Sequence, residues 1–441
     1  MPATALPPTV AAVPVTPDVQ PNAPISTQGP FEPPLQSPQP GALPTRADTL
    51  SLDQWLLSPT LGVYSLFDTN VHSSPTLPLS GPGFHFHPAL SAEYNTGLYD
   101  TQLYGNIDST VYPTLDYHNN TFNKNAGAIE RYSPLPDLTF TMQGDYAHNT
   151  NANVLLNSLP TPVVAPGSPQ PQGAAAVVAT QQTVVNPNDV YTAQATVYKE
   201  LNRAFIRLNT SVTSTIFEET PTQNLNQKTY DGSGGFWFTP QLYAYGDGIQ
   251  TFSNPEVGTP SNFFRARGGI GSDQIGLFQG SIYYGQQGSE VNSGGKAGGD
   301  IYGGIVSYFP TAVWNMSLSV DRQRNVSDIT VETGLGLGGL GLAAAGVSPS
   351  SSIQSTALAF KTNYTISEQT SAYFVLSDTL IDFIHGPPLR ENSWLADVGI
   401  SHQLRHDLRL TFDYSYTRFM SPTPLTSFTR NLVTLGANYN F

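Results

Sequence analysis

The chain has 441 residues, no Cys, 37 Pro, 39 Gly and a formal charge of −14. The missing Cys excludes disulfide staples and thiolate metal sites, and the acidic balance argues against nucleic acid as a partner. Only 11% of residues are charged, yet there are 22 Tyr and 22 Phe, a mixture that suits a transmembrane barrel with an apolar, aromatic-girdled outside and a polar inside.

Residues 1–53 are rich in Pro, Ala and Thr and carry no hydrophobic period. They read as a disordered or polyproline-like leader, placed in the periplasm. An exported barrel needs a basic and then an apolar signal region. The opening Met1 to Pro8 supplies neither, and the first basic side chain is Arg46. The signal is therefore expected upstream of this start or already removed. No run of 18 apolar residues exists, so no membrane-spanning helix is expected.

From Gln54 to Phe441 the chain divides into stretches in which apolar and polar side chains alternate, the period of a two-faced strand. In order these are 55–67, 84–94, 99–112, 118–132, 138–148, 190–201, 204–217, 227–238, 241–252, 262–271, 275–286, 296–309, 313–325, 353–364, 370–382, 392–404, 408–419 and 428–441. Their lengths match the ~9–11 residues that a tilted membrane strand needs. The connections sort by parity. Those after even-numbered strands are tiny, such as Asn202-Arg203 and Thr239-Pro240, with Ser272-Asp273-Gln274 read as another. Those after odd-numbered strands are mostly longer, including 149–189 and 326–352, and only 113–117 is short. Short periplasmic turns alternating with long external loops predict an antiparallel up-and-down transmembrane β-barrel of about 18 strands.

The faces agree. Leu408, Leu410, Phe412, Tyr414 and Tyr416 alternate with Arg409, Thr411, Asp413, Ser415 and Thr417. A charge on the lipid face at mid-depth costs roughly 2–4 kcal/mol, so the charged members point inward. The inward, candidate pore-lining set is Arg207, Arg265, Arg267, Lys361 and Arg409 with Asp108, Asp145, Asp321, Asp397 and Asp413, joined by Glu93. Charges in a pore set ion and solute selectivity. Inward Tyr64, Tyr104, Tyr198, Tyr243 and Tyr283 either stack on sugar rings or fill space. The Gly-rich stretches 262–271 and 296–309 read as bends or as places where a plug approaches closely. The final stretch sets Val433, Leu435, Ala437, Tyr439 and Phe441 on one face. Tyr439 and Phe441 are the expected signal for the barrel-assembly machinery of a Gram-negative outer membrane.

The first two strands carry a more specific pattern. Pro59-Thr60-Leu61 leads into Phe67-Asp68-Thr69-Asn70-Val71, and Pro88-Ala89-Leu90 follows in the second strand. This resembles the β-barrel porin 2 family, whose members have a Pro-x-Leu strand, an aromatic-Asp-x-Asn-Val turn and a second Pro-x-Leu strand. The resemblance implies an outer-membrane barrel in contact with lipid and lipopolysaccharide. For some members it implies a porin associated with exopolysaccharide export components.

Other chemistry is sparse. His85 and His87 share a strand face and suit a metal, but no third ligand sits at a recognisable spacing, so no metal or other cofactor is expected. Asp68 and Asn70 read as an Asx turn rather than a Ca²⁺ chelate. The run Gly334 to Gly341 lacks the Gly-Lys-Ser/Thr ending of a phosphate loop, and no Gly-x-Ser-x-Gly elbow is present. The chain therefore reads as a channel for hydrophilic solutes and not an enzyme. A plugged barrel with a structural or surface-adhesive role is the second reading, and a hydrolase assembled from several strands is the third.

Overall fold

The computed structural model describes residues 50–52, 55–71, 78–115, 120–150, 187–218, 224–257, 260–291, 296–326, 352–383, 390–422 and 427–441. The leader to residue 49, the Gly334–Gly341 run, His118 and most of the 149–189 connection lie outside them.

The regular structure of the described residues is β-strand throughout. A short strand, β1 (Leu50–Leu52), precedes β2 (Trp55–Asp68), β3 (Gly81–Asn95), β4 (Tyr99–Val111), β5 (Thr121–Leu135), β6 (Leu138–Asn149) and β7 (Asn188–Leu201). Then come β8 (Ala204–Phe217), β9 (Leu225–Thr239), β10 (Leu242–Pro255), β11 (Ser261–Ile275), β12 (Phe278–Val291) and β13 (Lys296–Thr311). The last are β14 (Trp314–Val326), β15 (Ser352–Ser367), β16 (Thr370–Phe383), β17 (Arg390–Arg405), β18 (Leu408–Met420) and β19 (Phe428–Asn440). From β2 to β19 each strand pairs antiparallel with the next, and β19 pairs with β2. The result is a closed up-and-down barrel of 18 strands. Closure leaves no unpaired sheet edge around the ring, which is the condition for a sheet to exist in lipid.

The short connections lie at one end of the barrel and are tighter than the residue types suggest. Gly97 and Gly276 take φ of 81° and 64°, and Asn202 takes 57°, the left-handed region that Gly and Asn tolerate. One predicted turn is displaced. Ser272-Asp273-Gln274 is read as a turn because its residues are polar, but these residues belong to β11, and the chain reverses at Gly276-Leu277. A register irregularity between Ser272 and Ile275 absorbs the difference, and only the glycine there supplies the positive φ.

Two details concern the closing seam. β19 covers β2 from Thr60 to Asp68, and the Phe441 amide donates to the Pro59 carbonyl at 3.0 Å. The rest of that edge, Trp55 to Leu57, pairs with β1. Leu50–Leu52 thus forms a strand inside the span read as leader. At the other end of the seam Asp68 is fully buried. Its carboxylate accepts from Arg430 Nη2 at 2.6 Å, from Arg430 Nε at 3.0 Å and from the Asn70 amide at 2.8 Å. The last of these is the Asx turn, and its second function is to anchor the closing strand. The two Pro-x-Leu motifs pair crosswise, Pro59 opposite Leu90 and Leu61 opposite Pro88.

Side chains separate by face. Leu90, Leu103, Met142, Leu208, Ile282, Leu318, Leu358, Val398, Phe412 and Leu435 are exposed, and the residues beside them in each strand are mostly polar and less exposed. Contacts that skip a strand identify the concave side. Tyr104 of β4 donates to Asp145 of β6, and Tyr283 of β12 donates to Asp321 of β14. Tyr373 of β16 donates to Asp413 of β18 at 2.8 Å. Alternate strands bring side chains together only across the inside of a curved sheet. The polar set therefore lines the interior and the apolar set the outside.

Candidate functional site

The inner wall is the candidate site, and strand register fixes its levels. Arg207, Ser233, Asp247 and Arg267 stand opposite one another in turn across β8 to β11. One level further along, Asn209, Asp231, Ile249, Arg265 and Gln287 do the same across β8 to β12. Arg267 Nε donates to Asp247 Oδ1 at 2.6 Å, and its guanidinium lies 4.7 Å from the Tyr283 ring centroid. Arg265 Nη2 stands 3.8 Å from Asp247 Oδ2. Both arginines and Asp247 are buried, so the pairing and the ring face offset the cost of removing these charges from water. The Tyr283 hydroxyl continues the cluster to Asp321, which also accepts from Gln323 Nε2 at 2.6 Å.

The acidic residues gather elsewhere on the wall. Asp397 and Asp413 share the Tyr373 hydroxyl. Asp145 accepts from Tyr104. Asp108 stands between two imidazoles, 3.4 Å from His85 Nε2 and 3.6 Å from His87 Nδ1. Asp100 on the same strand pairs with Arg131 at 2.7 Å, and Glu93 sits on the neighbouring strand opposite Gln102. The arc β3 to β6 is thus mainly acidic, whereas arginines outnumber carboxylates at the two levels across β8 to β11. Charges of opposite sign on two separate arcs of the same wall give the interior a lateral field. Arg409 donates to Gln403 Oε1 at 3.1 Å, and Lys361 lies in register between Ser317 and Val375.

Strand register sets Arg207, Arg265, Arg267, Lys361, Arg409, Asp108, Asp145, Asp321, Asp397 and Asp413 on the inner face. Three partners escape the sequence: Asp247, Asp231 and Tyr373. Asp247 follows Tyr243 and Tyr245 at a spacing of two, a signal that was available. Asp231 is obscured by Gly232, Gly234 and Gly235, which blur the alternation. The glycine-rich stretches also acquire an explanation other than a plug. A Cβ on Gly269 would meet the Tyr245 ring and one on Gly303 the Tyr283 ring. Tyrosines of neighbouring strands lie flat over these glycines.

No family model and no curated protein matches the chain. Solved structures do resemble it. A BenF-like porin from Pseudomonas fluorescens is 9% identical with a TM-score of 0.48, over 88% of this chain and 100% of that one. OpdK of Pseudomonas aeruginosa, solved with vanillate, is 9% identical with a TM-score of 0.47, over 87% and 99%. OmpT of Vibrio cholerae is 11% identical with a TM-score of 0.38, over 90% and 100%. These are likenesses of barrel form, and no residue role passes from them to this chain.

Proposed function

We propose that the protein is a channel of a Gram-negative outer membrane that passes hydrophilic solutes by diffusion through the barrel interior. The observation that carries this reading is the two-faced wall. Apolar side chains stand exposed outside on strand after strand, while carboxylates, guanidinium groups, amides and hydroxyls occupy the inside. In water that outer surface would be an association liability, and in lipid it is a requirement. The inner charges then act on the solute without any covalent step, through the field between the arginine and carboxylate arcs. In this reading Tyr439 and Phe441 are recognised by the assembly machinery, lipid and lipopolysaccharide surround the barrel, and residues 1–49 lie in the periplasm. The crosswise Pro-x-Leu pairs and the Asp68–Asn70 turn support placing the chain beside the β-barrel porin 2 family.

Planar-bilayer recording of the purified full chain tests the proposal. Stepwise conductance that persists across salt concentrations is expected, and no open state under any condition would favour the plugged, structural barrel instead. Polymers of graded size added to the bath separate two solute classes. Exclusion of short polymers points to small solutes, and passage of oligosaccharides points to polysaccharide export.

A further inference from the structure

We propose that His85, His87 and Asp108 form a binding site for a divalent first-row transition metal ion on the inner wall. The two histidines lie two apart on β3, on one face, with ring centroids 6.2 Å apart and planes 7° from parallel. The third ligand comes from β4. Pairing there runs through Phe86 opposite Ser109 and resumes at Ala89 opposite Asn106. Counting in register puts His87 opposite Asp108, at the point where Pro88 has no N–H to give the ladder.

The spacing suits a metal better than a hydrogen bond. His85 Nε2 and His87 Nδ1 both point at Asp108 Oδ2, at 3.4 Å and 3.6 Å, beyond the roughly 2.7–3.2 Å of a good N–H···O bond. Ligand atoms on a tetrahedral ion, with bonds of about 2.0–2.1 Å, stand about 3.3 Å apart. The three ligand atoms all lie within 4.8 Å of one another. His87 Nδ1 has no hydrogen-bond partner among the described residues, although the side chain is only 10% exposed. A buried polar atom left this way calls for a partner. His85 has an outer contact of the kind metal ligands use: its Nδ1 lies 3.0 Å from Thr110 Oγ1, and with Nδ1–H donating to that hydroxyl Nε2 is free to ligate. Tyr64 packs edge-on against His85, with ring centroids 5.3 Å apart, and is itself held by Asn438 at 2.5 Å. Two imidazoles and one carboxylate suit Zn²⁺, Co²⁺, Ni²⁺ or Fe²⁺ rather than Ca²⁺ or Mg²⁺, and leave coordination positions open to the lumen. The site does not depend on whether the barrel conducts.

A second group, His148, Asp189 and Glu218, also comes within ligating reach. His148 is in register with Asp189 on the outer face near the long-loop end, so the test is run in a His148→Ala background. The full chain is purified in detergent, stripped with chelator and titrated with Co²⁺ while visible absorption is recorded. Zn²⁺ is then added as competitor. A saturable ligand-field band displaced by Zn²⁺ is expected. Asp108→Asn and His87→Gln should each weaken apparent affinity by more than tenfold, and Thr110→Val by about tenfold. Each variant is first checked for the heat-modifiable gel shift of a folded barrel. Absence of saturation below millimolar Co²⁺ in the parent would overturn the site, leaving a histidine–carboxylate contact only. Unchanged affinity in whichever of Asp108→Asn and His87→Gln folds would overturn it equally.

Discussion

Tyr373 donates its hydroxyl to Asp413 at 2.8 Å across the bare backbone of Gly399, on the strand between them. Tyr104, Gly127 and Asp145 repeat the arrangement across β4 to β6, and Tyr283, Gly303 and Asp321 across β12 to β14. In each trio the middle residue must lack a side chain, because a Cβ there would collide with the tyrosine ring. Overpacking of this kind costs about 1–3 kcal/mol. Gly399→Ala should therefore lower unfolding free energy by about that amount in urea titrations of detergent-folded protein. Gly144→Ala, whose Cβ would meet nothing within 4 Å, should leave it nearly unchanged.

The seam gives a larger effect. Removing one partner of a buried ion pair leaves the other uncompensated and costs about 3–5 kcal/mol. Asp68 is fully buried and Arg430 partly so. Asp68→Ala should fall at or below the lower end of that range, with loss of the heat-modifiable form at a lower temperature. A double-mutant cycle with Arg430→Gln should show strong coupling, and additive effects would mean that the pair does not hold the seam.

Selectivity should follow the arcs of charge. Arg265→Gln should move the reversal potential under a salt gradient toward cation preference, and Asp397→Asn should move it toward anion preference. If neither variant shifts the potential, ions do not pass along these walls.

One turn gives a pH signature. Asp137, in the two-residue connection between β5 and β6, is half-exposed, and its carboxyl is held below the usual range chiefly by the hydrogen bond from Lys199. A depressed folded-state value stabilises above the unfolded value of about 3.9 and is lost as pH falls through the folded one. The urea midpoint of the parent should exceed that of Asp137→Asn at pH 7, and the gap should close below about pH 4. A gap that is constant with pH would assign the effect to turn geometry.

Deleting Phe441 should reduce assembly into the outer membrane far more than it changes the conductance of barrels that do assemble. Its ring packs on Tyr439, with centroids 4.6 Å apart, on the exposed end of β19, away from the inner wall. Fractionation and single-channel recording together check this.

The number of barrel strands and the alternation of their faces were legible because alternation of period two is a property of the chain itself. Ala204–Phe217 has the same bounds in both readings. Relations between strands were not legible. A one-residue slip in register reverses every face, so no local pattern could bring Asp108 to His87 or seat Tyr373 over Gly399. The turn at Gly276 was missed for a different reason: three polar residues resemble a turn, but backbone handedness decides where the chain reverses. β1 was missed because three residues are too few to show a period.

That small strand has a consequence for how copies of the barrel meet. The closing pair has nine rungs, from Leu432 opposite Asp68 to Asn440 opposite Thr60, and stops short of the end of β2. Without Leu50–Leu52 the backbone of Trp55 to Leu57 would present open donors and acceptors on the flank of the cylinder, a template on which a second molecule adds its own strand. β1 occupies that template from within the same chain. With that stretch of edge paired, strand addition by a second molecule has no open backbone to start from there.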